Sequence, residues 1–281
     1  MSSYPRRTAG VLLASVTALL AAGIPAASAA TPTPKPSAPK PSTSKAPASK
    51  APAPKAPAPA PDPHATVAVL DLDAGGTAPV VQGEDRAYDT ASIVKVDILA
   101  ALLLKAQDEH RGLTDEERGH AEPMIRRSDN ASADALWKEI GRAPGLAAAN
   151  KRLGLTSTTG GPDGRWGLTR TTASDQIRLL RAVFDDSAAS PLTSGSRAYV
   201  RTLMSEVLPE QSWGVSAVNA AGTELKNGWL QRSTTGLWDV NSIGEVTLGG
   251  HRCLVAVLSD GSASMDDGVS LVEHTARTAV A

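Results

Sequence analysis

The sequence predicts an α+β domain: one antiparallel sheet assembled from both ends of the chain, flanked by helices, with an all-helical lobe inserted between its two halves. Three observations predict it. Strand-like apolar runs stand at 66–72 and 252–258, at opposite ends of the globular part. Between 92 and 208, apolar residues recur at helical spacing or the composition is alanine-rich. The resulting order of two strands, many helices, three strands and a helix is met by a single sheet with helices against it.

The chain begins with two segments outside that domain. Residues 1–29 read as a signal peptide. Arg6 and Arg7 supply the positive end, residues 10–24 form a 15-residue apolar stretch, and Ala27-Ser28-Ala29 offers small side chains for cleavage. That stretch is short of the roughly 20 residues that span a bilayer. A lipoprotein leader needs a cysteine just after the signal, and the single cysteine stands at 253. Residues 30–63 are nearly all Pro, Ala, Ser, Thr and Lys, with a lysine at every fifth position from Lys35 to Lys55. Such a segment has almost nothing to bury and reads as an extended spacer. A secreted, extracytoplasmic protein is expected; contact of the evenly spaced cations with an anionic cell-wall polymer, which would make it wall-associated, is the alternative to a plain solvated spacer.

Within the domain, 64–281, the strand at 66–72 is apolar on both faces and is followed by the turn Asp73-Ala74-Gly75-Gly76 and a short strand near 79–81. Helical patterns then run over 92–107, 114–127, 131–140, 144–153, 172–185 and 194–208. Strand character returns near 223–230, 236–243, 244–248 and 252–258, and 264–280 closes the domain as a helix.

Charge and composition exclude several functions. Residues 1–61 hold seven basic side chains and no acid, which leaves 21 basic and 29 acidic ones, a net of −8, on 62–281. An acidic domain without a basic cluster repels a phosphate backbone, so no nucleic-acid partner is expected. One cysteine, Cys253, excludes an intramolecular disulfide and any multi-cysteine zinc site. His64, His110, His120, His251 and His274 have neither His-x-His nor HExxH spacing. No metal or cofactor is implied, and a monomer is expected.

The chemistry is concentrated in three short motifs. The 92–107 helix is apolar on nearly every side, so it is central and buried, and Lys95 inside it requires a partner or a lowered pKa. Ser92 stands three positions earlier, on the same face and at the helix start. There, backbone N–H groups and the positive dipole end suit an oxyanion. A serine, a nearby base and an anion-stabilising terminus are the parts of nucleophilic acyl transfer. The second motif, Ser128-Asp129-Asn130, precedes a helix; the third, Lys226-Asn227-Gly228-Trp229, lies on a predicted strand. Taken singly, Ser128-Asp129-Asn130 reads as a helix cap and Lys226-Asn227-Gly228 as a lysine before a turn. Their order sets them apart.

Ser-x-x-Lys, Ser-Asp-Asn and Lys-x-Gly, in that sequence, are the motif set of penicillin-recognising serine enzymes. From about residue 66 to 280 the chain resembles the class A β-lactamase family. Leu113-Thr114, Gly141 and Arg170-Thr171-Thr172-Ala173 add to the likeness. The resemblance implies a class A β-lactamase-like fold with Ser92 as nucleophile, Lys95 as general base or proton relay, and Ser128 passing a proton to the departing nitrogen. It implies Asn130 on the substrate's side-chain amide, Lys226 near its carboxylate, and an oxyanion hole from the Ser92 and Trp229 N–H groups. Asn227, Gly228 and Trp229 complete the substrate-binding set, with Trp229 as a pocket wall. Asp129 reads as a local structural acceptor.

Three departures bear on function. Ser92 and Ser128 are 36 residues apart, shorter than is usual in the family. Asn227 replaces the family's Ser or Thr. The stretch 156–169 lacks the glutamate that activates water for deacylation; Asp163 is its only acid, in a glycine-rich turn. The expected activity is therefore opening of β-lactams through a Ser92 acyl-enzyme with slow release. The alternatives are a D-alanyl-D-alanine peptidase or transpeptidase acting on peptidoglycan stem peptides, and a non-catalytic wall-associated binding module. Among the tryptophans, Trp137, Trp166, Trp213 and Trp238 are read as packing residues, and Cys253 as a buried small hydrophobe.

Overall fold

Strand β1 (His64–Asp71) alternates its side chains between two covered faces, with Ala68 and Leu70 on one and Val67 on the other. In the computed structural model, which describes residues 62–75, 78–187, 189–219 and 221–281, it pairs antiparallel with β7 (His251–Ser262), in register from His64 opposite Asp260 to Asp71 opposite Cys253. With β2 (Val80–Gln82), β5 (Glu224–Gln231) and β6 (Trp238–Leu248) they form a five-stranded sheet in the order β2-β1-β7-β6-β5. The sheet is thus antiparallel and drawn from both chain ends. The segments expected as a leader and spacer lie outside the described residues, apart from 62 and 63 at the end of the spacer.

Both faces of the sheet are covered, which is why its strands read as apolar throughout. Leu254, Ala256 and Leu258 of β7 face the helical lobe, whereas Cys253, Val255 and Val257 face α7 (Met265–Ala279) with its Val272 and Ala276. The lobe comprises α1 (Val94–Asp108), α2 (Asp115–Arg126), α3 (Asn130–Glu139), α4 (Arg142–Leu153), α5 (Ala173–Phe184) and α6 (Ser194–Ser205). Twelve of the fifteen residues of α1 are buried, making it the axis on which the lobe packs. Thr114 and Glu117 close a capping box at α2, Thr172 caps α5 and Ser264 caps α7.

The structure corrects several boundaries. The expected strands 236–243 and 244–248 form one strand, β6, pairing with β7 across Gly244. A Cβ at 244 would lie 2.4 Å from the Glu224 carbonyl oxygen, so this glycine permits close approach of β5 and does not turn the chain. Helix α6 ends at Ser205, short of the expected 208, because Pro209 biases Leu208 away from helical backbone. A two-stranded ribbon was not anticipated: β3 (Tyr88–Asp89) pairs with β4 (Arg170–Thr171), bringing the lobe's fifth helix beside the chain that leads into Ser92.

Candidate active site

Four segments meet around Ser92 and Lys95: the turn carrying Ser92, the 127–129 turn between α2 and α3, strand β5, and the turn Trp166–Leu168. Ser92 sits in a 3-10 turn, Ala91–Ile93, that feeds α1. Ala91 has φ +48°, a left-handed conformation costly for a residue with a side chain. Its neighbours hold it there. The Thr90 N–H donates to Thr169 O at 2.8 Å. The Asn241 amide donates to Asp89 O at 2.9 Å and Thr90 O at 3.1 Å. Asn241, on β6, is fully buried, and its Oδ1 accepts from the Ser259 N–H. Ser92 itself is half-buried, within reach of solvent.

Lys95 is buried, and its Nζ donates to Ser128 O (2.6 Å), Asn130 Oδ1 (2.8 Å) and Ser128 Oγ (3.0 Å). Burial pushes its pKa down to about 7 against the opposing charges of Asp129 and Asp134. Ser92, expected on the same face one turn earlier, is not among its hydrogen-bond partners: the three acceptors of Ser128 and Asn130 satisfy the desolvated amine instead. Ser128 also has left-handed backbone, φ +55°, which turns its carbonyl and hydroxyl toward the same amine. Asp129 is the N-cap of α3, accepting from Ser132 N–H at 2.7 Å, and so has the structural role expected of it.

On the far side of Ser128 lies Lys226, also fully buried, donating to Ser128 Oγ at 3.0 Å and to Asn227 O at 2.8 Å. Burial, and then the nearby Lys95 charge, hold its pKa well below the ordinary lysine value. Ser128 Oγ is therefore shared by two buried amines. Gly228 lies so close to the Ser92 turn that a Cβ there would be 2.6 Å from Ser92 N, 2.7 Å from Ile93 N and 2.8 Å from Thr90 O. Trp229 is half-buried and its ring lies 5.8 Å from that of Trp213, tilted by 57°.

Asn227 departs from expectation. Its amide nitrogen donates to Gln211 O (2.8 Å) and Trp213 O (2.9 Å), so both of its hydrogens are taken by the protein's own backbone. It pins the 211–213 segment to β5 and has no donor left for a ligand. Asp163 is exposed, has φ +53° and pairs with Arg165 at 3.0 Å, as a turn residue would. Trp166, read from sequence as packing, covers Lys95: Nζ stands 4.9 Å from its ring centroid, and its indole N–H donates to Asp134 Oδ1 at 2.7 Å. Sequence reasoning missed Asn241, Asp134 and this role of Trp166. Only Trp166 left a signal, a large aromatic in the stretch that lacks the glutamate.

This arrangement of sheet, lobe and turns is a class A β-lactamase-like fold. The TLA-1 extended-spectrum β-lactamase matches it with a TM-score of 0.65 at 18% identity, over 77% of this chain and 91% of that one. A class A β-lactamase from Bacteroides cellulosilyticus matches at 0.65 and 18%, over 78% and 91%. PBP-A matches at 0.65 and 20%, over 80% and 91%, and a PBP-A mutant solved as an acyl-enzyme complex with penicillin G at 0.65 and 22%, over 78% and 90%. At the level of sequence, the chain is similar to the protein named "Putative lipoprotein LppW" of Mycobacterium bovis and Mycobacterium tuberculosis, 28% identical over 173 residues. That match covers 59% of this chain, which spans about half (54%) of the length of LppW. No model of a protein family matches the chain.

Proposed function

We propose that the protein is an exported serine hydrolase that opens β-lactams through a Ser92 acyl-enzyme and releases the acyl group slowly. The observation that carries this reading is the sharing of Ser128 Oγ between Lys95 and Lys226, 3.0 Å from each, beside a solvent-reachable Ser92. In acylation, neutral Lys95 gives up one of its resting bonds to Ser128 or Asn130 and turns to take the Ser92 proton, the Ser92 Oγ bonds to the lactam carbonyl carbon, and the C–N bond breaks. The Ser128 hydroxyl protonates the departing nitrogen and recovers a proton from Lys95. Lys226, held at the same hydroxyl, keeps it positioned through the transfer. Gly228 lets β5 approach the Ser92 N–H, where the tetrahedral oxyanion forms.

Export through residues 1–29 and a spacer over 30–63 belong to the same reading, and an envelope location is supported by the name of the LppW relatives. Cys253 is buried on β7, which makes it unsuitable for lipid attachment. A second reading, a D-alanyl-D-alanine peptidase or transpeptidase of peptidoglycan, is favoured by the absence of glutamate from 156–169. The test is intact mass after benzylpenicillin. A single adduct is expected that disappears in Ser92→Ala while the thermal transition is kept. An adduct that survives the substitution refutes the assignment of Ser92. Release of D-alanine from a stem peptide selects the second reading.

A further inference from the structure

We propose that Trp166 is a positioning residue that excludes water from the Ser92 acyl-enzyme, so that the adduct persists because its hydrolytic face is roofed as well as because it lacks a carboxylate base. The inference rests on the acyl-enzyme reading above. Hydrolysis of the ester requires a water at the carbonyl carbon and a group to take its proton; the water oxygen bonds to carbon, the bond to Ser92 Oγ breaks, and the proton returns to that oxygen. Lys95 is the basic group nearest this step on α1. Three of its directions are filled by Ser128 O, Ser128 Oγ and Asn130 Oδ1. Trp166 covers a further approach, with Nζ 4.9 Å from the ring centroid.

The orientation of the ring is built in. Its only polar atom, the indole N–H, is directed to Asp134 on α3 at 2.7 Å, so it offers Lys95 a face with no hydrogen-bond acceptor for water. The turn carrying Trp166 packs directly on the Ala91–Ile93 turn that carries Ser92. Asp163, the only acid in the stretch, is exposed and paired with Arg165, so it does not replace the missing base. Removing the ring therefore opens a path between solvent and an amine whose burial holds its pKa near 7.

The test uses the full domain loaded with benzylpenicillin, freed of excess drug and followed by intact mass, with attachment timed separately from release. Trp166→Ala is expected to shorten the lifetime of the adduct at least tenfold and to give a release rate that rises with pH through about 7. A loss of packing alone would not produce that profile. Asp134→Ala, an exposed position, frees the ring without deleting it and is expected to shorten the lifetime severalfold. Release as slow as in the parent in both variants, from adducts that do form, overturns the role of Trp166 and leaves the acyl-enzyme reading standing. No adduct on the parent protein overturns both.

Discussion

Lys95 shows how one residue's surroundings determine its chemistry. An ordinary lysine is charged at neutral pH and cannot accept a proton; removed from water on an apolar helix, this one titrates at about 7. As an ammonium it has a hydrogen for each of its three acceptors. As an amine it keeps two donors, and its lone pair is open to a proton from Ser92 or Ser128. The rate of adduct formation should therefore rise about tenfold per pH unit below pH 7 and level off above it, as the neutral form fills. Rapid-quench mass spectrometry across about pH 5 to 9 checks this; a flat profile would remove Lys95 as the base. Lys95→Ala should slow attachment by about 10² or more. The sequence, through the three-residue spacing, suggested Ser92 as the neighbour of the Lys95 amine, and Ser92 is not among that amine's hydrogen-bond partners. The spacing could not show that Ser128 and Asn130 would take the amine's hydrogens, because those bonds join residues more than thirty positions apart.

At the scale of elements, the site depends on β5 lying against the Ser92 turn without an intervening side chain. The three nearest contacts of a Cβ at 228 are backbone atoms of Thr90, Ser92 and Ile93, none of which can swing aside. Gly228→Ala should lower stability by about 1–3 kcal/mol or more and abolish adduct formation, read by thermal melting and intact mass together. A variant that melts and labels like the parent would mean the strand and turn separate freely. Asn241 ties the same turn to β6 and β7 by three hydrogen bonds. Neither its neighbours in sequence nor its period along the strand marks it, since its partners are backbone groups of Asp89, Thr90 and Ser259. The helices, by contrast, were readable within a few residues, because apolar spacing and caps are local. The fusion of the strands on either side of Gly244 was not, because that glycine serves β5 and not its own strand.

Over the whole molecule, burial raises several acids, Glu224, Asp239 and Glu245 among them, and Asp97 is the one fully enclosed. Asp97 lies on α1, fully buried, beside the equally buried Gln176 and with the Asp175 carboxylate as a nearby like charge. Burial raises the Asp97 pKa to about 7. Below about pH 4 the carboxyl is protonated in both folded and unfolded chains. Between about 4 and about 7 the unfolded chain gives up the proton while the folded one keeps it, so this group's contribution falls as pH rises and is lost above about 7. Asp97→Asn retains the neutral shape and removes the titration. Its stability relative to the parent should grow by up to about 1.4 kcal/mol for each pH unit across that window. Urea denaturation at pH 4.5 and 7.5 measures it; an equal difference at the two pH values would show that Asp97 is already ionised in the fold.

The sequence alone determined the α+β class, the sheet drawn from both chain ends, the buried α1 and the order of the three motifs. These follow from local periodicity, capping chemistry and residue identity, which are written along the chain. Tertiary structure decided that Asn227 bonds its own backbone, that Ser128 Oγ stands between two lysines, and that Trp166 covers Lys95. Each of these depends on which distant segment reaches a shared buried volume first, and no spacing along the chain encodes that.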